Sequence, residues 1–294
     1  NYASWRERGW CRLEMVVALL ARSDIRVMVC TGPEAIPYFI WPFDMIWLPA
    51  GEGRFSCCAL DHCFGACDKI HLRGVLEEMF DAKVAHLRRT GQMMECRYWA
   101  VQRDVFLRGL PDTQISDSTT DSSGGSDRDL VGQTRKDSPS RLGQLKELLY
   151  WTPEDDRAAD HTGCSLLLWA AFAADTGAIK ELLSDGTRHK VDTKLRQNVP
   201  DLPCMFKGIT PMIAAMGHAD FDTVEALLEA GANPHAVTVQ RYDALMSATI
   251  TGKSHNVERW LKRFPDWDLG RTDLQFDATV SRIVGGSTSD RLTT

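Results

Sequence analysis

Cys57, Cys58, His62, Cys63, Cys67 and His71 crowd into one short stretch, and thiolate and imidazole are the ligands zinc prefers. On a helix Cys63, Cys67 and His71 would share one face, so Cys58, Cys63, Cys67 and His71 make the candidate metal set. Structural zinc sites, however, usually take paired ligands from two places separated by a longer loop, and no second pair answers this one. Free cysteine is among the most buried residue types, so a core-facing cysteine stripe is the stronger reading. Elsewhere the chemistry is sparse. The chain has no Gly-rich phosphate loop, no nucleophile elbow and no His-Glu-x-x-His pair. Cys11 as a nucleophile would need a basic partner that spacing does not supply. No cofactor is expected.

The elements that would position such residues fall into two groups. With 294 residues the chain is long enough for two modest cores, and 44% hydrophobic with 25% charged residues is ordinary for a folded protein. A net charge of -6 and the lack of a dense Lys/Arg stripe argue against nucleic acid as a partner. Nine cysteines, an odd number, favour reduced thiols in the cytoplasm, or the nucleus, over a disulfide framework. The most apolar stretch, 36–50, contains Pro37, Pro42, Asp44 and Pro49 and is too short to span a membrane, so it reads as buried loop and strand. The chain opens at Asn1 almost directly into a helical pattern, so the N-terminal part is expected to lack its beginning.

In that part Leu13, Val16, Val17 and Leu20 recur at helical spacing over 10–22, and 25–30 reads as a buried strand ending at Thr31-Gly32-Pro33. Helix followed by a short β-branched run is the rhythm of an α/β unit. Two further helices, 69–89 and 93–108, are expected to stop at Gly91 and Gly109. A Ser/Thr/Asp/Gly-rich run over 112–142, including Ser122-Ser123-Gly124-Gly125-Ser126, has too little apolar surface to offset its ordering entropy and reads as a flexible linker.

Three segments after the linker share one pattern. Ser165 is followed by Leu167, Ala170, Ala171, Ile179, Leu182, Leu183 and Gly186. Thr210 is followed at the same offsets by Met212, Ala215, Met216, Val224, Leu227, Leu228 and Gly231. Asp243 is followed by Leu245, Ala248, Thr249, Val257, Trp260 and Leu261, with Phe264 at the glycine position. Ser165, Thr210 and Asp243 have the side chains of helix N-caps, and Pro211 sits at a first helical position where its missing N–H costs nothing. Small residues then let paired helices approach. Thr210 and Asp243 are 33 residues apart, a helix-pair repeat period, whereas Ser165 and Thr210 are 45 apart, which leaves a 12-residue insertion for a loop.

Gly-Ile-Thr-Pro-Met from Gly208 with Glu-Ala-Leu-Leu-Glu-Ala-Gly-Ala-Asn-Pro from Glu225 resembles the ankyrin repeat family. The family's usual histidine is replaced by Leu168, Ile213 and Met246, which removes a hydrogen bond to the neighbouring turn. The resemblance implies a solenoid that binds a protein through its concave helix face and finger loops. The matching positions are Trp169, Phe172, Gly217, His218, Ser247 and Ile250 on the face, with Arg188, His189, Lys190, His235 and Tyr242 on the loops. For Trp169 and Phe172 the competing reading is packing beneath the insertion. Residues 145–150 read as half of a capping repeat and the region from Phe276 as a degenerate last unit.

Trp10-Cys11-Arg12-Leu13-Glu14, followed by an apolar helix and strand, resembles the Trp-Cys-x-x-Glu segment of TIR domains, and similar openings occur in uncharacterised protist ankyrin-repeat proteins. In NAD-cleaving TIR domains the glutamate of this segment is catalytic, which by resemblance falls on Glu14. The plainer reading puts Glu14 on the polar face of an amphipathic helix anchored by Trp10 and Cys11.

The expected architecture is therefore mainly α: an N-terminally truncated α/β domain at 1–111, a linker at 112–142, and an ankyrin-repeat solenoid at 143–294 with repeats near 161–186, 208–233 and 241–266. The expected function is protein–protein interaction as a scaffold or adaptor, with no nucleic acid and no membrane insertion. The alternative is a TIR-like NAD-cleaving enzyme or signalling domain targeted by the repeats.

Overall fold

The computed structural model describes residues 2–22, 25–40, 48–63, 65–112, 140–184, 190–199, 202 and 205–274. It is mainly helical. The described residues fall into two compact units, 2–22, 25–40, 48–63, 65–83, 103–112 and 140 in the first, and 84–102, 141–184, 190–199, 202 and 205–274 in the second. The boundary thus falls inside two helices, and residues 84–102 cluster with the C-terminal repeats.

In the first unit α1 (Tyr2–Arg6) and α2 (Gly9–Leu20) are followed by β1 (Met28–Val29) and β2 (Tyr38–Phe39). The periodicity of 10–22 is realised in α2, where Cys11, Leu13, Met15, Val16 and Leu20 are buried and Glu14 is exposed. β1 and β2 pair antiparallel, with Met28 opposite Phe39 and Val29 opposite Tyr38. The turn at Gly32-Pro33 reverses the chain at once instead of sending it through a crossover helix, and an antiparallel pair needs only a short connection. The strand expected to be buried is therefore a two-residue ribbon with Met28 and Ile25 about half exposed.

A single helical turn, α3 (Ser56–Ala59), precedes the long α4 (Asp68–Arg89), and α5 (Met93–Leu107) follows. Gly91 and Gly109 both have φ of +77°, so each ends its helix in the left-handed conformation that glycine adopts without steric cost. The core of this unit joins Leu13, Val16 and Leu20 to Phe55, Leu72, Leu76 and Phe80, with Phe80 and Phe106 rings 5.5 Å apart. Lys83 donates to the carbonyl of Ala21 at 2.8 Å and satisfies the end of α2.

In the second unit α6 (Arg141–Leu148) and α7 (Pro153–Thr162) lead into three helix pairs: α8 (Leu166–Phe172) with α9 (Thr176–Ser184), α10 (Pro211–His218) with α11 (Phe221–Glu229), and α12 (Ala244–Ile250) with α13 (Ser254–Arg263). Ser165, Thr210 and Asp243 each cap the first helix of a pair by accepting the backbone N–H three residues on, at 3.2, 3.3 and 2.8 Å. First helices pack on first helices in the order α8, α10, α12, and second helices follow in the order α6, α9, α11, α13. Small residues permit the approach, since a Cβ on Gly217 would lie 2.6 Å from Ser247 Oγ. The linker's 113–139, the apolar 41–47 and the degenerate last unit from 275 onward lie outside the described residues.

Candidate functional site

The loops that join the helix pairs are laced together by backbone hydrogen bonds. Arg196 N–H donates to Thr162, Leu195 N–H donates to Ile209 while the Leu195 carbonyl accepts from Gly208 N–H, Val239 N–H donates to Lys207, and Leu274 N–H donates to Gln240. The insertion between the first two pairs thus contributes a rung of its own to this ladder. A shallow groove of about 460 Å³ runs along it, lined by Lys194, Leu195, Arg196, Lys207, Gly208 and Val237 to Val239. Lys194, Arg196 and Lys207 are exposed, and Val239 is 57% exposed. Three cations around an apolar floor make a surface suited to an extended acidic segment. Sequence reading passed over these residues, although the alternation Lys194-Leu195-Arg196 carries the period of a strand with one face turned to water.

Trp169, Phe172, Gly217, His218 and Ser247, expected on an open binding surface, are all buried, and Ile250 is half-buried. Phe172 and His218 meet side chains from α5, which precedes the repeats. Tyr98 packs edge-on against Phe172 at 6.2 Å, and Gln102 Nε2 lies 3.5 Å from the Phe172 carbonyl and 3.4 Å from His218 Nδ1. His218 also meets the edge of Phe172 at 5.0 Å. Burial, and then the charge of Lys253, pulls the imidazole down to about 3, so it stays neutral. On the loops His235 is exposed and stacks on Trp267 at 4.8 Å, Tyr242 is half-buried beside Phe206, and Lys190 pairs with Asp160 at 3.1 Å. Arg188 and His189 lie outside the described residues.

The cysteine and histidine residues assemble differently from the helix-face expectation. α4 begins only at Asp68, so Cys63, Cys67 and His71 do not share a helical stripe. Asp61 and His62 instead take left-handed backbone, φ +48° and +57°, and fold the loop back on α3. This gathers Cys57, Cys58, His62 and Cys67, whose ligand atoms all lie within 4.8 Å of one another. Cys63 and His71 are exposed outside the group. Partial burial, followed by the contacts with Cys67 and Cys57, pushes the Cys58 thiol up to about 11. A cation among the three sulfurs would reverse that preference.

Glu14 is exposed on α2, with Trp10 half-exposed and bonded through Nε1 to Asp68 at 2.9 Å. Burial and the nearby Glu14 raise the Cys11 thiol, which leaves it a poor nucleophile at neutral pH. Among the described residues no helix is long and apolar enough to cross a membrane.

Residues 207–239 match the ankyrin repeat family, so an ankyrin repeat lies at the second of the three helix pairs. No curated protein matches the chain.

Proposed function

We propose, proceeding from the ankyrin repeat at 207–239, that the C-terminal helix pairs form a short solenoid acting as a cytoplasmic scaffold or adaptor for a partner protein. The observation that carries this reading is the equivalence of Ser165, Thr210 and Asp243. Each caps the first helix of a pair, and pairs so started stack in register. Because Trp169, Phe172 and His218 are buried, recognition falls to the finger-loop groove, where Lys194, Arg196 and Lys207 favour a partner with an acidic extended stretch.

Affinity capture with the full chain, followed by lysine cross-linking, tests this. Cross-links are expected at Lys194 and Lys207, and the Lys194→Glu/Lys207→Glu double variant should lose its partner while melting at the same temperature. Trp169→Ala should instead lower the melting temperature, because its side chain is core. Undiminished capture by the double variant would refute a finger-loop site.

A further inference from the structure

We propose that Cys57, Cys58, His62 and Cys67 are the four ligands of a structural zinc site that clips the loop between α3 and α4. In a tetrahedral site the ligand atoms stand about 1.6 bond lengths apart, so zinc–sulfur bonds of about 2.3 Å set sulfurs about 3.8 Å from one another. Cys57 Sγ and Cys58 Sγ are 3.9 Å apart, and Cys58 Sγ and Cys67 Sγ are 3.7 Å apart. Sulfurs packed in an apolar core touch at similar distances, but this cluster is not in a core. Cys57, Cys58 and Cys67 are only half-buried, His62 is exposed, and its ring nitrogen closes the group.

Among its described residues the loop is held by the backbone hydrogen bonds of its own turns, such as His62 N–H to Cys57 at 2.9 Å, and by little burial. No residue of α3 is buried, and from Leu60 to Ala66 every described residue is exposed. Within it two consecutive non-glycine residues hold left-handed backbone, a conformation that persists where surroundings enforce it. A small segment with so little burial among its described residues is the setting in which a metal supplies the folding free energy. Three thiolates and an imidazole match zinc in softness and number, and four protein ligands leave no position for a reactive water, so the site is structural and not catalytic. The clip ends at Cys67, next to Asp68, which starts α4 and accepts the Trp10 indole N–H.

The test uses the full chain purified without chelator. It should carry one zinc per molecule, and cobalt substitution should give the visible ligand-field bands of tetrahedral Co²⁺ together with a thiolate-to-cobalt charge-transfer band. Cys58→Ser and Cys67→Ser should lose the metal, whereas Cys63→Ser and His71→Ala should keep it. Since a ligand variant could fail to fold, alkylation of the unaltered protein gives a second readout. Cys57, Cys58 and Cys67 should be protected until zinc is chelated, and Cys63 should be labelled throughout. A metal-free protein without the tetrahedral cobalt spectrum, protection of Cys63 instead of Cys58, or a Cys58–Cys67 disulfide in a non-reducing digest would each overturn the assignment.

Discussion

Arg97 on α5 donates from Nη2 to Asp155 Oδ2 on α7 at 2.6 Å, and its Nε donates to the Leu149 carbonyl at 2.9 Å. Asp155 in turn closes a capping box with Thr152, accepting from its backbone N–H at 2.9 Å and its hydroxyl at 3.0 Å. One guanidinium therefore satisfies the end of α6 and the start of α7 together, with its flat face over Trp151 at 5.0 Å.

Only 9% of the Arg97 side chain and 20% of Asp155's is exposed, so losing one partner strands a charge in a poorly solvated place. Arg97→Ala should cost about 3 kcal/mol in urea unfolding. Burial works to raise the Asp155 carboxyl, but Arg97 and Thr152 prevail and hold it below 3.8. The unfolded chain therefore takes up this proton first as pH falls. The pair's contribution is complete above about pH 4 and is lost as pH drops through the folded value. Comparing wild type with Arg97→Ala at about pH 5 and about pH 3 checks this, since the gap should narrow in acid. A gap independent of pH would mean the arginine acts by packing alone.

Asn256 on α13 is 2% exposed and donates from Nδ2 to the carbonyls of Met216 at 3.0 Å and Ala219 at 2.9 Å, which lie at the end of α10. Without it, two buried carbonyls lose their donor. Asn256→Ala should destabilise by about 2 to 4 kcal/mol. Asn256→Asp, nearly isosteric, should be worse at neutral pH because a carboxylate would face two carbonyl oxygens. Equal stability of the aspartate variant and wild type would show that the amide's donor role is unimportant.

Capping was legible in the sequence because it is local: Ser165, Thr210 and Asp243 need only the backbone three residues onward. Helix stops at Gly91 and Gly109 were legible for the same reason. Burial of Phe172 and His218 was not, since the residues that meet them, Tyr98 and Gln102, are distant in the chain and obey no shared period. The cysteine and histidine cluster was half legible. Residue types marked the stretch, but the partners depend on left-handed backbone at Asp61 and His62, residue types enriched there yet adopting it in only a small minority of cases. The strand expected at 25–30 shrank to Met28–Val29, because β-branched propensity expresses itself only where neighbours pack on it.

His218 offers the clearest pH signature in the repeats. Its folded value lies near 3, against 6.5 for an ordinary imidazole, with burial as the first cause and Lys253 as the second. Below pH 6.5 the unfolded chain binds a proton that the folded chain refuses. Stability from this group is therefore complete above about pH 6.5 and falls on acidification, by about 2 kcal/mol between about pH 7 and about pH 5. His218→Gln keeps a hydrogen-bonding side chain beside Gln102 and cannot titrate. It should be less stable than wild type at pH 7, where the ring's contact with Phe172 is lost, yet close much of that deficit at about pH 5. Urea unfolding of both proteins across this range decides the matter. Parallel pH profiles would place the imidazole in water, and its burial against Phe172 and Gln102 would fall with it.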